Sequence, residues 1–155
     1  MQKLQFKKEI NAPIQKVYET MLGLQNKTTY EYWTAVFNPT STYEGTWDKG
    51  SKILFVGTDE NGKKGGMISE IVEHQPAQFV SIRHYGFLDG DLEITTGEQV
   101  EQWTGGHENY NFQETNGITT VTVALDAIDD FVAYFNEKYP KALDKLQEIS
   151  EKEVK

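Results

Sequence analysis

Apolar residues near the end of the chain recur at Ile128, Phe131, Val132, Phe135, Tyr139, Ala142, Leu143, Leu146 and Ile149. Steps of three and four set them on one stripe of a 3.6-residue helix. The spacing predicts a long amphipathic helix over Asp126 to Glu153. Asp126 is its expected N-cap, with Asp129 and Asp130 in the first turn, where carboxylates meet the positive helix end. Pro140 falls inside this helix, removes the hydrogen bond to Asn136 and is expected to kink it.

Before this helix most of the chain alternates with a period of two. Leu4, Phe6 and Ile10 face one way and Lys3, Gln5, Lys7 and Glu9 the other, the pattern of a half-buried strand. Lys8 interrupts the apolar face and is expected at an edge or mouth. Asn11-Ala12-Pro13 opens a helix whose buried stripe is Ile14, Val17, Tyr18, Met21 and Leu22, with Gly23 as its stop. A shorter helical piece follows over Thr28 to Trp33, ending before the Asn38-Pro39 turn. Strands are predicted at Thr40 to Trp47, Ile53 to Val56, Met67 to Val72, Phe79 to Leu88, Glu108 to Gln113 and Ile118 to Leu125. Asn61-Gly62 and Asn116-Gly117 mark hairpins, since Asn and Gly accept positive φ. Residues 89 to 106 carry Gly90, Gly97, Gly105 and Gly106 and read as a long loop with some strand, a candidate cavity rim. The order is one strand, two short helices, about six antiparallel strands and a long helix. That is an α+β layout, a curved antiparallel sheet with helices on one face, in a single domain over 1–155.

Composition narrows the function. The chain has 155 residues, 25% of them charged and 37% hydrophobic, enough for one globular core. Its 24 acidic and 15 basic residues give a net charge of -9. That argues against nucleic acid, which is bound mainly by lysine and arginine on phosphates, and against an anionic membrane surface. Cysteine is absent, which removes disulfides, thiolate nucleophiles and cysteine-held zinc. The N-terminus lacks the apolar run of a signal peptide, and no apolar run reaches the roughly 18 residues of a membrane span. The simplest expectation is a cytoplasmic protein without membrane insertion.

Several stretches resemble one superfamily in combination. Ile10-Asn11-Ala12-Pro13-Ile14 with Val17-Tyr18 resembles its strand-to-helix opening, and Trp33 matches a tryptophan near the end of the short helices. Ile68-Ser69-Glu70-Ile71-Val72 with Pro76 resembles a strand that stops before a proline. Asn116 to Val121 resembles the last hairpin, and Phe131 to Phe135 through Leu143-Asp144-Lys145-Leu146 resembles the closing helix. The order is similar to the START-like superfamily, also called SRPBCC or Bet v 1-like. Within it the chain resembles homologues of the activator of the 90-kDa heat-shock protein ATPase. The resemblance covers essentially the whole chain. It implies a helix-grip fold and a deep cavity that in relatives holds lipids, sterols or other apolar molecules. It also implies a chaperone as a second class of partner, although the separate N-terminal domain of the eukaryotic co-chaperones has no counterpart here.

A strongly curved sheet cannot touch a straight helix along its full length, so apolar side chains line a gap rather than fill it. Eight Phe, eight Tyr and three Trp supply large rings suited to such a gap. The candidate lining is Tyr32, Trp33, Phe37, Phe55, Ile82, His84, Trp103, Tyr110, Phe112, Phe131 and Phe135. Each of these, taken singly, also suits plain core packing. His84 alternates with Val80 and Ile82 and should face inward, either to a ligand or to a neighbouring hydroxyl or backbone group. Glu108 shares a face with Tyr110 and Phe112, and is either near the pocket or a strand-end residue in water. Arg83 is expected on the opposite, solvent side.

No catalytic or metal motif emerges. His74, His84 and His107 form no close pair such as H-E-x-x-H, and there is no G-x-S-x-G elbow, Walker A spacing or EF-hand loop. No cofactor, metal or catalytic residue is assigned. The expected function is binding of a small hydrophobic or amphipathic ligand. The alternatives are a chaperone-regulating module, or an enzyme of cyclase or hydrolase type. The enzyme requires His84 or Glu108 and a pocket tyrosine within hydrogen-bond reach inside the cavity.

Overall fold

A computed structural model describes residues 1–102 and 104–152. The chain runs β1 (Gln2–Ile10), α1 (Ile14–Leu22), α2 (Lys27–Thr34), β2 (Thr42–Gly45), β3 (Lys52–Thr58), β4 (Lys64–Gln75) and β5 (Phe79–Asp89). It continues through β6 (Leu92–Ile94), α3 (Glu98–Glu101), β7 (Gly106–Thr115) and β8 (Ile118–Ala127) to α4 (Asp129–Ser150). The antiparallel strands form one sheet in the order β1-β8-β7-β5-β4-β3-β2, with β6 added beside β5. The long helix and the two short ones cover the inner face, the helix-grip α+β arrangement.

The sheet follows from its patterning. Leu4 and Phe6 pair with Leu125 and Val123 on the inner face, while Lys3 and Lys7 stay outside. Asn116 and Gly117 both have positive φ, 53° and 81°, so the two-residue turn matches the twist of its strands and fixes the β7–β8 register. The other hairpin works differently. Only Gly62 has positive φ there, and the Asp59 carboxylate closes the turn by accepting the Asn61 and Lys63 N–H groups.

The short helices are pinned at their ends. Gly23, at φ 69°, returns its N–H to the Glu19 carbonyl and stops α1. The Asn26 side chain accepts the Thr28 N–H at 3.0 Å and caps α2, an interaction worth about 1 kcal/mol. The buried Trp33 indole donates to the Met21 carbonyl at 2.9 Å and ties α2 to α1.

Two expectations need correction. The long helix begins at Asp129, and its N-cap is Ile128, which offers no side-chain cap. Asp126 is still strand, because the β1–β8 ladder runs on to Gln2–Ala127 and holds that backbone extended. Its carboxylate accepts the His107 N–H at 3.0 Å and pairs with Lys3 at 3.3 Å. Residues 89 to 106, expected as a long loop with some strand, hold that strand as β6 but also a short helix, α3, anchored by buried Val100. Pro140 sits on the exposed side of α4, and the helix continues through it. Lys8 lies at the edge of the grip and bonds Asp144 of α4 at 2.6 Å. Trp103 and Glu153 lie outside the described residues.

Candidate functional site

Between the sheet and the first half of α4 lies a cavity of about 890 Å³, partly open to solvent. Trp33, Thr34 and Phe37 from α2 and the segment after it form one wall. Phe131, Tyr134, Phe135 and Tyr139 of α4 form a second. The sheet supplies the floor through Phe55, Met67, His84, Glu108 and Tyr110. At the outer end, Gly57 pairs with Gly65 and Val56 with Gly66. Side chains are therefore missing where two lining strands cross. Gly66, at φ 144°, permits this close approach, since a Cβ there would meet the Phe55 carbonyl oxygen at 1.9 Å.

The eleven expected lining residues divide. Trp33, Phe37, Phe55, His84, Tyr110, Phe131 and Phe135 all border the cavity. Tyr32 points away from it: its hydroxyl donates to Glu148 of α4 at 2.7 Å and Lys145 lies over its ring. Phe112 sits further along β7 and stacks edge-on against Tyr18 of α1, so it belongs to the solid core. Ile82 is fully buried in that core. The position of Trp103 falls outside the described residues. Sequence reasoning missed Tyr30 and Tyr139 as lining. Tyr139 was findable, because it continues the Phe131–Phe135 stripe at the next i+4 step. Nothing in the local pattern marks Tyr30.

The cavity floor carries a polar pole, apart from the charged residues Asp59, Lys63, Lys64, Asp89 and Asp126 elsewhere in the lining. Ser69 Oγ lies 2.6 Å from His84 Nδ1, and His84 Nε2 lies 3.1 Å from Glu108 Oε1. The Tyr139 hydroxyl donates to Glu108 Oε2. These groups come from β4, β5, β7 and α4. The register shift between Ile68 and Ser69 sets Ser69 opposite His84 and Ile68 opposite Gly86, with Tyr85 as the extra residue. His84 thus stays in phase with Val80 and Ile82 up to the bulge and faces inward. The bonding is satisfied when the Ser69 hydroxyl donates to Nδ1 and Nε2–H donates to Glu108.

Exposure separates the members. Side chains of His84 and Glu108 are 13% and 16% exposed and line the cavity. Ser69 is fully buried and outside the lining, so its hydroxyl orients His84 and is closed to a substrate. Burial first, then the Glu108 charge, pushes the Tyr30 and Tyr110 hydroxyls above the ordinary tyrosine pKa. Both therefore stay protonated. Chemically the pole offers a carboxylate framed by hydrogen-bond donors in an aromatic setting. Among the described residues no group of three His, Asp or Glu is arranged to hold a metal ion. Also among them, no helix is long and apolar enough to cross a membrane.

A bent antiparallel sheet closed by a C-terminal helix, with a cavity between, is the helix-grip class of fold. Solved structures share it, three of which illustrate the likeness. The Aha1 dimer from Colwellia psychrerythraea matches at 21% identity and TM-score 0.69, over 97% of this chain and 97% of that one. A protein from Mycobacterium smegmatis matches at 16% and 0.68, over 95% and 89%. CalU16 from Micromonospora echinospora, in its solution structure, matches at 11% and 0.65, over 96% and 65%. At these identities the likeness is one of fold. The sequence matches no protein-family model, and no curated protein matches it significantly.

Proposed function

We propose that this protein binds a small hydrophobic or amphipathic molecule inside the grip, as a cytoplasmic carrier or sensor. The observation that carries the reading is the cavity of about 890 Å³, walled by rings from α2, α4 and the sheet. Pockets of a few hundred to a thousand Å³, mostly apolar with a few convergent polar groups, are the usual form of small-molecule sites. Native mass spectrometry of protein purified from its own host tests this directly, together with thermal shifts across lipids and aromatic compounds. A retained mass of a few hundred daltons is expected. Bare protein in the spectrum, with no shift from any compound, would end the proposal.

A second reading has its own observation. His84 and the Tyr139 hydroxyl are each bonded to Glu108 at the cavity floor, the reach that acid–base chemistry requires. Glu108 would serve as base and a tyrosine hydroxyl as acid in a cyclase- or hydrolase-type reaction. Turnover lost in Glu108→Gln, with binding retained, is the outcome that would favour it over simple carriage. A chaperone-regulating role rests on the sequence resemblance alone, and a pull-down that recovers no chaperone counts against it.

A further inference from the structure

We propose that the polar pole is a counter-ion site for a cation, so that the cavity selects amphiphilic amines over alcohols and rejects carboxylates. The proposal rests on the ligand-binding reading and names the ligand's head group. Glu108 is a carboxylate set among aromatic rings at the cavity floor. Its one ion-pair partner among the described residues is His84, whose bonds are satisfied without a positive charge. The other groups bonded to it, the Tyr139 and Tyr110 hydroxyls, are neutral donors. A carboxylate has about four acceptor positions, and those three donors leave room for one more. A charge held in apolar surroundings without a permanent cation favours a positive guest, because low polarity strengthens the attraction.

The outer lining points the same way. Its lysines, Lys63 and Lys64, are engaged with Asp89 and with Glu44. Rings at the floor, including Phe55 and Tyr110, can face an ammonium with their electron-rich surfaces. The rest of the aromatic lining accepts an alkyl or aryl tail. A fatty acid would set like charge against Glu108.

The test is calorimetric titration of decylamine, 1-decanol and decanoate, three probes with one tail, at physiological salt and pH 7. Wild-type protein is expected to bind decylamine at least tenfold more tightly than decanol, with decanoate weakest. Glu108→Gln is expected to lower decylamine affinity at least tenfold and to leave decanol within about threefold. The ranking in wild-type protein needs no variant, so a Glu108→Gln protein that fails to fold leaves the proposal exposed. Decanoate binding as tightly as decylamine overturns it. A folded Glu108→Gln protein that keeps the amine preference overturns it too. Binding of all three without preference removes the counter-ion site but keeps the carrier reading, whereas binding of none removes both.

Discussion

The two halves of α4 carry the same apolar stripe and meet different fates. Beyond Lys138 the helix buries Tyr139, Ala142, Leu143, Leu146 and Ser150. Before it, from Asp129, no residue is fully buried, and Phe131 and Tyr134 remain 49% and 37% exposed. The C-terminal half packs on β1, α1 and α2 within the main core. The N-terminal half stands across the cavity from β3 and β4. An identical periodicity thus codes for packing in one place and for lining in the other. What differs is the opposing surface: the main core with β1, α1 and α2 for one half, and for the other a cavity whose far side includes the glycines of β3 and β4.

The largest effect should fall on the packed half. Leu143→Ala or Leu146→Ala removes a side chain with essentially no exposure and should lower unfolding free energy by roughly 2–5 kcal/mol. Urea denaturation measures it. A loss near that of a surface substitution would mean that the two halves are not packed differently. Next comes the glycine wall. Gly66→Ala would drive a Cβ into the Phe55 carbonyl and force β3 from β4, a loss of about 2 kcal/mol that should also distort the cavity's outer end.

Phe131→Ala sharpens the contrast, because it separates stability from binding. With half its ring already in solvent, Phe131 should contribute no more than about 0.5 kcal/mol to folding. It borders the cavity, so the same change should weaken ligand binding several-fold. A variant that unfolds readily but binds normally would reverse the assignment of this half.

How far the sequence could reach follows from the same division. Helix and strand periodicity placed the long helix, the hairpins and the inward phase of Phe55, Tyr110 and Phe135, since each depends on local spacing. It could not separate Phe112 from Tyr110. Both face inward on β7 and are two residues apart, but one meets Tyr18 of α1 and the other meets the cavity. That choice is made by the partner across the gap. Tyr32 failed for a related reason: a neighbouring helix offered Glu148 to its hydroxyl. The pairing of Ser69 with His84 depends on a bulge, which no alternation pattern records. Asp126 looked like a cap because caps are read from the helix side, while the strand ladder beyond it prevailed.

Asp126 gives the smallest expected effect and a test of how the open half is anchored. It ends β8 just before α4 and borders the cavity. Burial alone would raise its pKa, but the His107 N–H and the Lys3 ammonium outweigh that and hold it below the ordinary 3.8. A depressed folded value means that the carboxylate adds stability above the unfolded pKa. That contribution is lost as pH falls through the folded value. Asp126→Asn keeps an acceptor for His107 and loses the charge. Wild-type protein should therefore exceed the variant by a few tenths of a kcal/mol near neutrality, after allowing for solvent screening. The gap should hold from pH 7 to about 5 and shrink below about pH 4. Denaturation curves across that range decide it. A gap that widens in acid would show that Asp126 binds its proton more tightly in the folded chain, and that the open half is held at its entrance by something other than this carboxylate.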